Sequence, residues 1–154
     1  SNPIVAELAL KNNFKILNDI NGFEDEELIT KAIEYQSNVI IVHRHPESKH
    51  LHEKMNFRNN VKEVLEHLEL KVTQLIDKGI NKQKIFIDPG LGFGKFEQDS
   101  VDLLINIKDL VDEIPVVVGY SRKKFIQKIE MNNKEIFEHC INSGVAFVRL
   151  HLTN

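Results

Sequence analysis

The stretch Lys84–Lys95 combines an acid, three glycines and a lysine in an order that could build a ligand-binding loop. It reads KIFIDPGLGFGK, in which Asp88 follows a short apolar run and Lys95 ends the glycine-rich segment. The apolar run predicts a strand covered on both faces, and the glycines let the backbone turn sharply toward a ligand. This pattern is typical of a site at the carboxyl edge of a parallel strand. The alternative is a plain strand-to-helix turn in which Asp88 only caps a helix.

Two further stretches place cations after apolar runs. Ser121-Arg122-Lys123 precedes a predicted helix, so backbone N–H groups and two cations converge there. Arg149 and His151 alternate along the last predicted strand, which would orient both side chains the same way. Because arginine can hold phosphate oxygens bidentately, these residues indicate anion binding. A solvated basic turn and two surface charges near a terminus are the alternatives.

Four histidines at 43, 45, 50 and 52 form two His-x-His pairs, which is one signature of a metal site. The charged, loop-like sequence between the pairs favours histidines of a mobile polar loop instead. Cys140 lies on an apolar helix face and is predicted to be a small core residue. As the single cysteine, it excludes an internal disulfide and favours a reducing cytoplasm.

An alternation of apolar strands and amphipathic helices must position these residues. The predicted strands are Lys15–Ile20, Asn38–Val42, Ile85–Ile87, Val116–Val118 and Ala146–Leu150. The predicted helices are one starting at Pro3, one starting at Lys124, and Glu24–Tyr35, Val61–Lys78, Ser100–Val111 and Lys134–Ser143. Strands that are apolar throughout are typical of a parallel sheet between helices.

Polar side chains recur where each predicted strand ends. They are Asn18, His43, Asp88, Lys123, Arg149 and His151. A shared ligand face at the strand ends explains this recurrence, and the (β/α)₈ barrel is its commonest host. Because five strands cannot close an eight-stranded barrel, the chain is either an open sheet or an incomplete barrel.

Composition limits the other classes of function. The chain has 154 residues, 42% hydrophobic and 28% charged, which are globular values. A formal net charge of −3 gives no sign of a nucleic-acid surface. No apolar run approaches the roughly 18 residues that cross a membrane. We therefore expect a cytoplasmic protein with small-molecule partners, neither nucleic acid nor membrane.

These motifs together resemble the dihydropteroate synthase family, from Ser1 to about His151. The matching segments, in order, are Asn18-Asp19, Val42-His43, Asp88–Lys95, Ser121–Lys123 and Arg149–His151. The resemblance implies a (β/α)₈ TIM barrel that acts in folate biosynthesis. Members of this family are the target of the sulfonamides. Such a transferase joins p-aminobenzoate to 6-hydroxymethyl-7,8-dihydropterin pyrophosphate and releases pyrophosphate, with Mg²⁺ as its cofactor.

The resemblance also implies a role for each matching residue in substrate binding. Asn18 and Asp88 would hydrogen-bond the pterin ring, and Phe93 would form an apolar wall between the two substrate sites. Lys123 would contact the pterin carbonyl and border the p-aminobenzoate pocket. The chemistry agrees, because a carboxylate can accept two bonds from adjacent ring N–H groups.

The implied catalytic residues are Lys123 and Arg149. Arg149 would lie against the pterin face and, with His151, hold the pyrophosphate. Pyrophosphate would leave a pterin cation that the amine attacks, with electrostatic stabilisation of the leaving anion as the main effect and Mg²⁺ sharing that charge. The Mg²⁺ ligand is expected upstream of Ser1 and not within this chain.

The chain departs from the family pattern in ways that leave three hypotheses. Residues 1–154 are expected to be the C-terminal part of one barrel domain, strands four to eight, with a homodimer possible. Lys124, Leu152 and Val42 replace the family's usual residues at their positions. The chain is therefore a partial synthase, a pterin-binding barrel of the methyltransferase type, or a non-catalytic half-barrel that pairs with another chain.

Arg149→Ala is expected to weaken pyrophosphate binding more than His151→Ala does. A guanidinium matches two phosphate oxygens at once, whereas a histidine contributes one donor and partial charge near neutral pH. Titration of the full-length protein with pyrophosphate, for each variant, measures the difference. If both variants bind like the parent, these residues are surface charges and the resemblance misassigns them.

Overall fold

The described part of the chain contains five parallel strands and five α-helices in alternation. The computed structural model describes residues 2–48, 50 and 53–151. The strands are β1 (Ile16–Asp19), β2 (Asn38–Val42), β3 (Ile85–Asp88), β4 (Val117–Val118) and β5 (Phe147–Val148). The α-helices are α1 (Pro3–Lys11), α2 (Glu26–Glu34), α3 (Asn60–Asp77), α4 (Glu97–Ile105) and α5 (Asn133–Asn142). Short 3₁₀ helices span Lys82–Lys84, Ile107–Leu110 and Lys124–Lys128.

The strands lie side by side in the order in which they occur along the chain. β1, β2 and β3 form one parallel sheet, and β4 and β5 form another. A single parallel bridge between Ile87 and Val116 joins the two sheets. A doubly wound sheet would reverse its strand order at a switch point, which this arrangement does not do. The winding is that of a barrel, and the described residues form part of one.

The helices cover one face of the sheet and leave the other face open. Leu17, Ile41 and Ile87 are almost fully buried, and they pack in one core with the apolar stripes of the helices. The alternate positions form the open face, which is the face bearing Ile16, Asn18, Ile40, Phe86 and Phe147. Ile16 and Phe147 are 49% and 56% exposed, and the Phe86 and Phe147 rings lie 5.6 Å apart. Because side chains alternate along a strand, Asp88 also belongs to the open face.

The predicted alternation is confirmed, and several elements differ in their bounds. The helix predicted from Ser100 begins at Glu97, because the Asp99 carboxylate accepts the Phe96 N–H at 3.0 Å and fixes an earlier start. That helix ends at Ile105 and continues only as a 3₁₀ turn. The helix expected from Lys124 is also 3₁₀, and the last strand is only two residues long. None of the described helices is long and apolar enough to cross a membrane.

Cys140 lies in α5 and is fully buried, as expected of a core residue. Burial raises the pKa of its thiol to about 11. It therefore stays protonated and packs as a small apolar side chain.

The isolated segment 1–154 is expected to bind a hydrophobic dye and to self-associate in dilute solution. The open face exposes Ile16 and Phe147, and α1 exposes Ile4, Val5 and Leu8 at 62% or more, which is a large apolar area for one domain. Dye fluorescence and size-exclusion chromatography measure both effects. A sharp, reversible two-state melt without dye binding would instead show that this segment is a complete domain.

Candidate functional site

The centre of the site is the carboxylate of Asp88, at the carboxyl end of β3. Asp88 is 2% exposed, and its Oδ1 accepts the Gly90 N–H at 2.8 Å. Its Oδ2 lies 3.7 Å from Nη2 of Arg149, which is half exposed on the open face. Burial raises the pKa of the Asp88 carboxyl, against the Gly90 N–H and the nearby cations Arg149, Lys123 and Lys95. The result is a sheltered acid beside an accessible cation.

The glycine loop that follows Asp88 folds back over the end of β2. Gly90 adopts a φ of 64°, and a Cβ at this position would lie 2.1 Å from the His43 carbonyl oxygen. Only glycine fits such an approach. The loop is tightened by the Phe93 N–H, which donates to the Gly90 carbonyl at 2.9 Å, while the His43 N–H donates to the Asp88 carbonyl at 2.8 Å.

Lys123 approaches the same loop from the end of β4. It is half-buried, and its Nζ lies 4.5 Å from the centre of the Phe93 ring and donates to the Leu91 carbonyl. The ring face attracts the ammonium group electrostatically. Burial lowers the pKa of Lys123, and the charge of Asp88 opposes that effect. The structure therefore brings together four of the predicted site residues, which are Asp88, Phe93, Lys123 and Arg149.

A cavity of about 410 Å³ lies beside Lys123 and the glycine loop. Aromatic rings and ammonium groups dominate its lining, which consists of Lys54, Gly92, Phe93, Lys95, Glu97, Ser100, Lys123, Lys124 and Phe125. Apolar walls with cations at the edge suit a flat, aromatic anion.

Arg149 and His151 lie past the end of β5 and contact different partners. The Arg149 N–H donates to the Val118 carbonyl at 2.8 Å, and its side chain lies against Gly119, where a Cβ would be 2.9 Å from Nη2. The Ser121 hydroxyl accepts the His151 backbone N–H at 3.0 Å and lies 2.7 Å from His151 Nδ1. The strand ends at Val148, so the common orientation of the two side chains stays a prediction.

Asn18 lies on the open face near the end of β1. It is exposed and pairs in register with Ile40, two strands from the end of β3. Its neighbour Asp19 faces the helices instead, and accepts the Phe23 N–H at 2.8 Å. Asn18 thus shares a face with Asp88 without adjoining it.

His43 and Lys95 form a buried pair that the sequence analysis missed. His43 is 2% exposed and Lys95 3% exposed, and Lys95 Nζ lies 2.9 Å from His43 Nδ1. The expectation that His43 belongs to a polar loop is therefore wrong. The sequence does contain a sign that both residues are buried, because His43 directly follows an apolar run and Lys95 ends a tight glycine turn. These positions are 52 residues apart, so only the fold shows that they meet.

Neither His45 nor His50 joins this pair as a metal site. His45 is half-buried with its ring 5.2 Å from that of Phe57, His50 is exposed, and His52 lies outside the described residues. Among residues 2–48, 50 and 53–151, no group of three or more histidines, cysteines or acids could hold a metal ion.

Gly90→Ala is expected to destabilise the protein more than Gly79→Ala does. Both glycines have positive φ, so each alanine costs about 1–2 kcal/mol in the left-handed region. Only at Gly90 does the new methyl also collide with backbone, whereas at Gly79 it meets Ile33 at an ordinary 3.7 Å. The collision adds about 1–3 kcal/mol. Urea unfolding of the full-length protein measures both losses, and equal losses would contradict the close approach.

Comparison with known proteins places this geometry in a family. Pterin binding enzymes match residues 1–151. The chain is 30% identical to the dihydropteroate synthase of Streptococcus pyogenes, over 95% of this chain and 57% of that protein. It is also 30% identical to the bifunctional dihydropteroate synthase/dihydropteroate reductase of Helicobacter pylori, over 95% of this chain and 40% of that protein.

Solved structures agree with the fold. The dihydropteroate synthase of Thermus thermophilus superposes with a TM-score of 0.82 at 28% identity, over 97% of this chain and 62% of that one. The dihydropteroate synthase of Clostridium difficile, determined in the presence of pteroic acid, superposes with a TM-score of 0.81 at 27% sequence identity. The match covers 97% of this chain and 59% of that one.

The fold prediction is thus confirmed, as part of a (β/α)₈ barrel whose strands run parallel in chain order. The chain spans about 57% of the length of the first curated relative it matches. A family match across residues 1–151 means that the chain belongs to the pterin-binding enzymes.

Proposed function

We propose that the chain supplies the pterin-binding part of a dihydropteroate synthase, as strands four to eight of the barrel. The substrates would be p-aminobenzoate and 6-hydroxymethyl-7,8-dihydropterin pyrophosphate. The observation that carries the proposal is the Asp88 carboxylate, which is buried at a strand end with the guanidinium of Arg149 3.7 Å away. Curated relatives along nearly the whole chain are dihydropteroate synthases, which supports the same reaction.

The pterin ring would bind on the open face above Asp88. The Gly90 N–H occupies one lone pair of Oδ1, which leaves Oδ2 and further lone pairs for the ring's adjacent N–H donors. Arg149 would move from Asp88 to lie against the face of the ring, because its side chain is half exposed and held only at 3.7 Å. Asn18, on the same face, would bond the far edge of the ring.

The p-aminobenzoate would occupy the cavity of about 410 Å³ beside Lys123. Phe93 and Phe125 supply apolar walls for its ring, and Lys123 and Lys124 supply charge for its carboxylate. Phe93 would separate this cavity from the pterin position, because its ring lies under Lys123 next to the loop that holds Asp88. The lysine at 124, where a small hydroxyl residue is usual, would strengthen the contact with the carboxylate by adding a charge.

Arg149 would be the main stabiliser of the departing pyrophosphate. Its backbone N–H donates to the Val118 carbonyl, and the missing side chain at Gly119 leaves room for its guanidinium. His151, bonded to Ser121, would add a donor at the edge of the same site. A cation beside the leaving anion lowers the barrier to forming the pterin cation, which the amine then attacks.

The described residues do not fit the Mg²⁺ that the resemblance implies. They hold no group of three or more acidic, histidine or cysteine ligands, and the Asp88 carboxylate is surrounded by cations. The roles proposed above are those of this chain's side chains, and a Mg²⁺ ligand upstream of Ser1 stays a prediction.

Asp88→Asn is expected to weaken the binding of pteroic acid more than tenfold. The substitution removes a charged acceptor from a sheltered site, and such a hydrogen bond contributes about 1.5–3 kcal/mol. Calorimetric titration of the full-length protein measures the change. Asp77→Asn, at the exposed end of α3, is the matched control and should bind like the parent.

Two outcomes would count against the proposal. Unchanged affinity in Asp88→Asn would remove Asp88 from the pterin site. A parent protein that binds pteroic acid but not pyrophosphate would favour the methyltransferase-type barrel, because that chemistry has no pyrophosphate to hold.

A further inference from the structure

The buried pair of Lys95 and His43 lies beneath the glycine loop, and Lys95 also forms part of the wall of the cavity of about 410 Å³. Lys95 Nζ has three neighbours at hydrogen-bond distance: His43 Nδ1 at 2.9 Å, the Gly90 carbonyl at 3.2 Å and the Phe93 carbonyl at 3.3 Å. The aromatic ring of Phe57 lies 5.9 Å from the same nitrogen. A lysine ammonium has three N–H donors, so each donor has one acceptor.

This geometry assigns the tautomer of His43. An ammonium group cannot accept a hydrogen bond, so His43 Nδ1 must be the acceptor and the ring proton must sit on Nε2. Burial first, and then the charge of Lys95, hold the pKa of His43 well below its usual range. The ring is therefore neutral at physiological pH, as the hydrogen bond requires.

The two carbonyls that Lys95 binds belong to residues that shape the proposed site. Gly90 donates its N–H to the Asp88 carboxylate, and the ring of Phe93 lies under the ammonium of Lys123. We infer that Lys95 is a positioning residue: supported by His43, it fixes the glycine loop and so sets the directions of Asp88 and Lys123 toward the ligands. This inference rests on the proposed function for the identity of those ligands, but the loop contacts stand independently of it.

Lys95 is positioned to respond to pH near neutrality. Burial lowers the pKa of Lys95 to about 7, with Asp88 and Asp99 opposing that shift and Lys123 adding to it. His45 and His67 also face the pair from the His43 side. After losing a proton, the amine can still donate to both carbonyls, and its lone pair can accept from His43 if the ring changes tautomer. The loop would keep its shape while one charge beside Asp88 is lost.

A pair of His43 variants separates positioning from packing. His43→Asn keeps an acceptor oxygen near the place of Nδ1 but leaves a void, whereas His43→Leu fills the space and removes the acceptor. We expect pteroic acid affinity to fall about three- to tenfold in His43→Leu and in Lys95→Met, and to stay within about twofold of the parent in His43→Asn. Lys108→Met, at an exposed lysine, is the control and should bind like the parent.

The titration of Lys95 tests the inference without any ligand. Nuclear magnetic resonance of ¹³C-lysine-labelled full-length protein should show one lysine with a midpoint near pH 7, and Lys95→Met should remove that signal. The midpoint should fall further in His43→Leu, because a donor of the ammonium loses its acceptor, and should stay close to the parent in His43→Asn.

The titration of Lys95 should also make the free energy of unfolding depend on pH. Between about pH 7 and the ordinary lysine pKa of 10.5, the unfolded chain binds this proton and the folded chain does not. The contribution of Lys95 to the free energy of unfolding therefore rises with pH across that window. Urea unfolding at pH 7 and pH 10 should show a smaller rise in Lys95→Met than in the parent.

The outcomes distinguish this inference from the proposed function. If His43→Leu binds pteroic acid as well as or better than His43→Asn, or if both variants titrate alike, the pair only packs and the inference is wrong. If the parent does not bind pteroic acid, while the lysine signal responds to the His43 variants as expected, the proposed ligand is wrong and the positioning contact stands.

Discussion

The burial of one carboxylate, Asp88, is the constraint on which the rest of the site depends. An acid in a dry environment must have hydrogen bonds or opposite charges to stay ionised. Here the Gly90 N–H supplies the hydrogen bond. The opposite charges come from Arg149 after β5, from Lys123 in the turn after β4, and from Lys95 at the end of the glycine loop. These groups oppose the rise in the pKa of Asp88 that burial causes.

The glycine loop meets this constraint by bringing backbone to the acid. The loop can approach the His43 carbonyl so closely only because Gly90 has no side chain. The Lys95 ammonium donates to the carbonyls of Gly90 and Phe93 within the loop. A loop that is tied at both ends presents Phe93 and the Leu91 carbonyl to Lys123 in a fixed geometry. Such preorganisation lets binding groups act without paying for their ordering when a ligand arrives.

Local patterns in the sequence were enough to predict the strands, the helices and the acid at the end of β3. Apolar runs and helical periodicity depend on near neighbours, and Asp88 stands out because it ends such a run. The contacts of Lys95 with His43, and of Arg149 with Gly119 and Asp88, were not predictable in this way. They join residues that the winding of the sheet brings together from distant parts of the chain. The start of α4 was also missed, because its cap comes from Asp99 inside the helix and not from the residue before it.

The residues of the site are divided between the two sheets that the bridge between Ile87 and Val116 joins. Asp88 and its loop belong to the three-stranded sheet, whereas Lys123, Arg149 and His151 follow the two-stranded one. The ion pair between Glu97 and Lys128, at 2.9 Å, links the two sheets on the helical side. A ligand that contacts both Asp88 and Arg149 would add a further link between the sheets. Binding such a ligand and joining the two sheets would therefore stabilise each other.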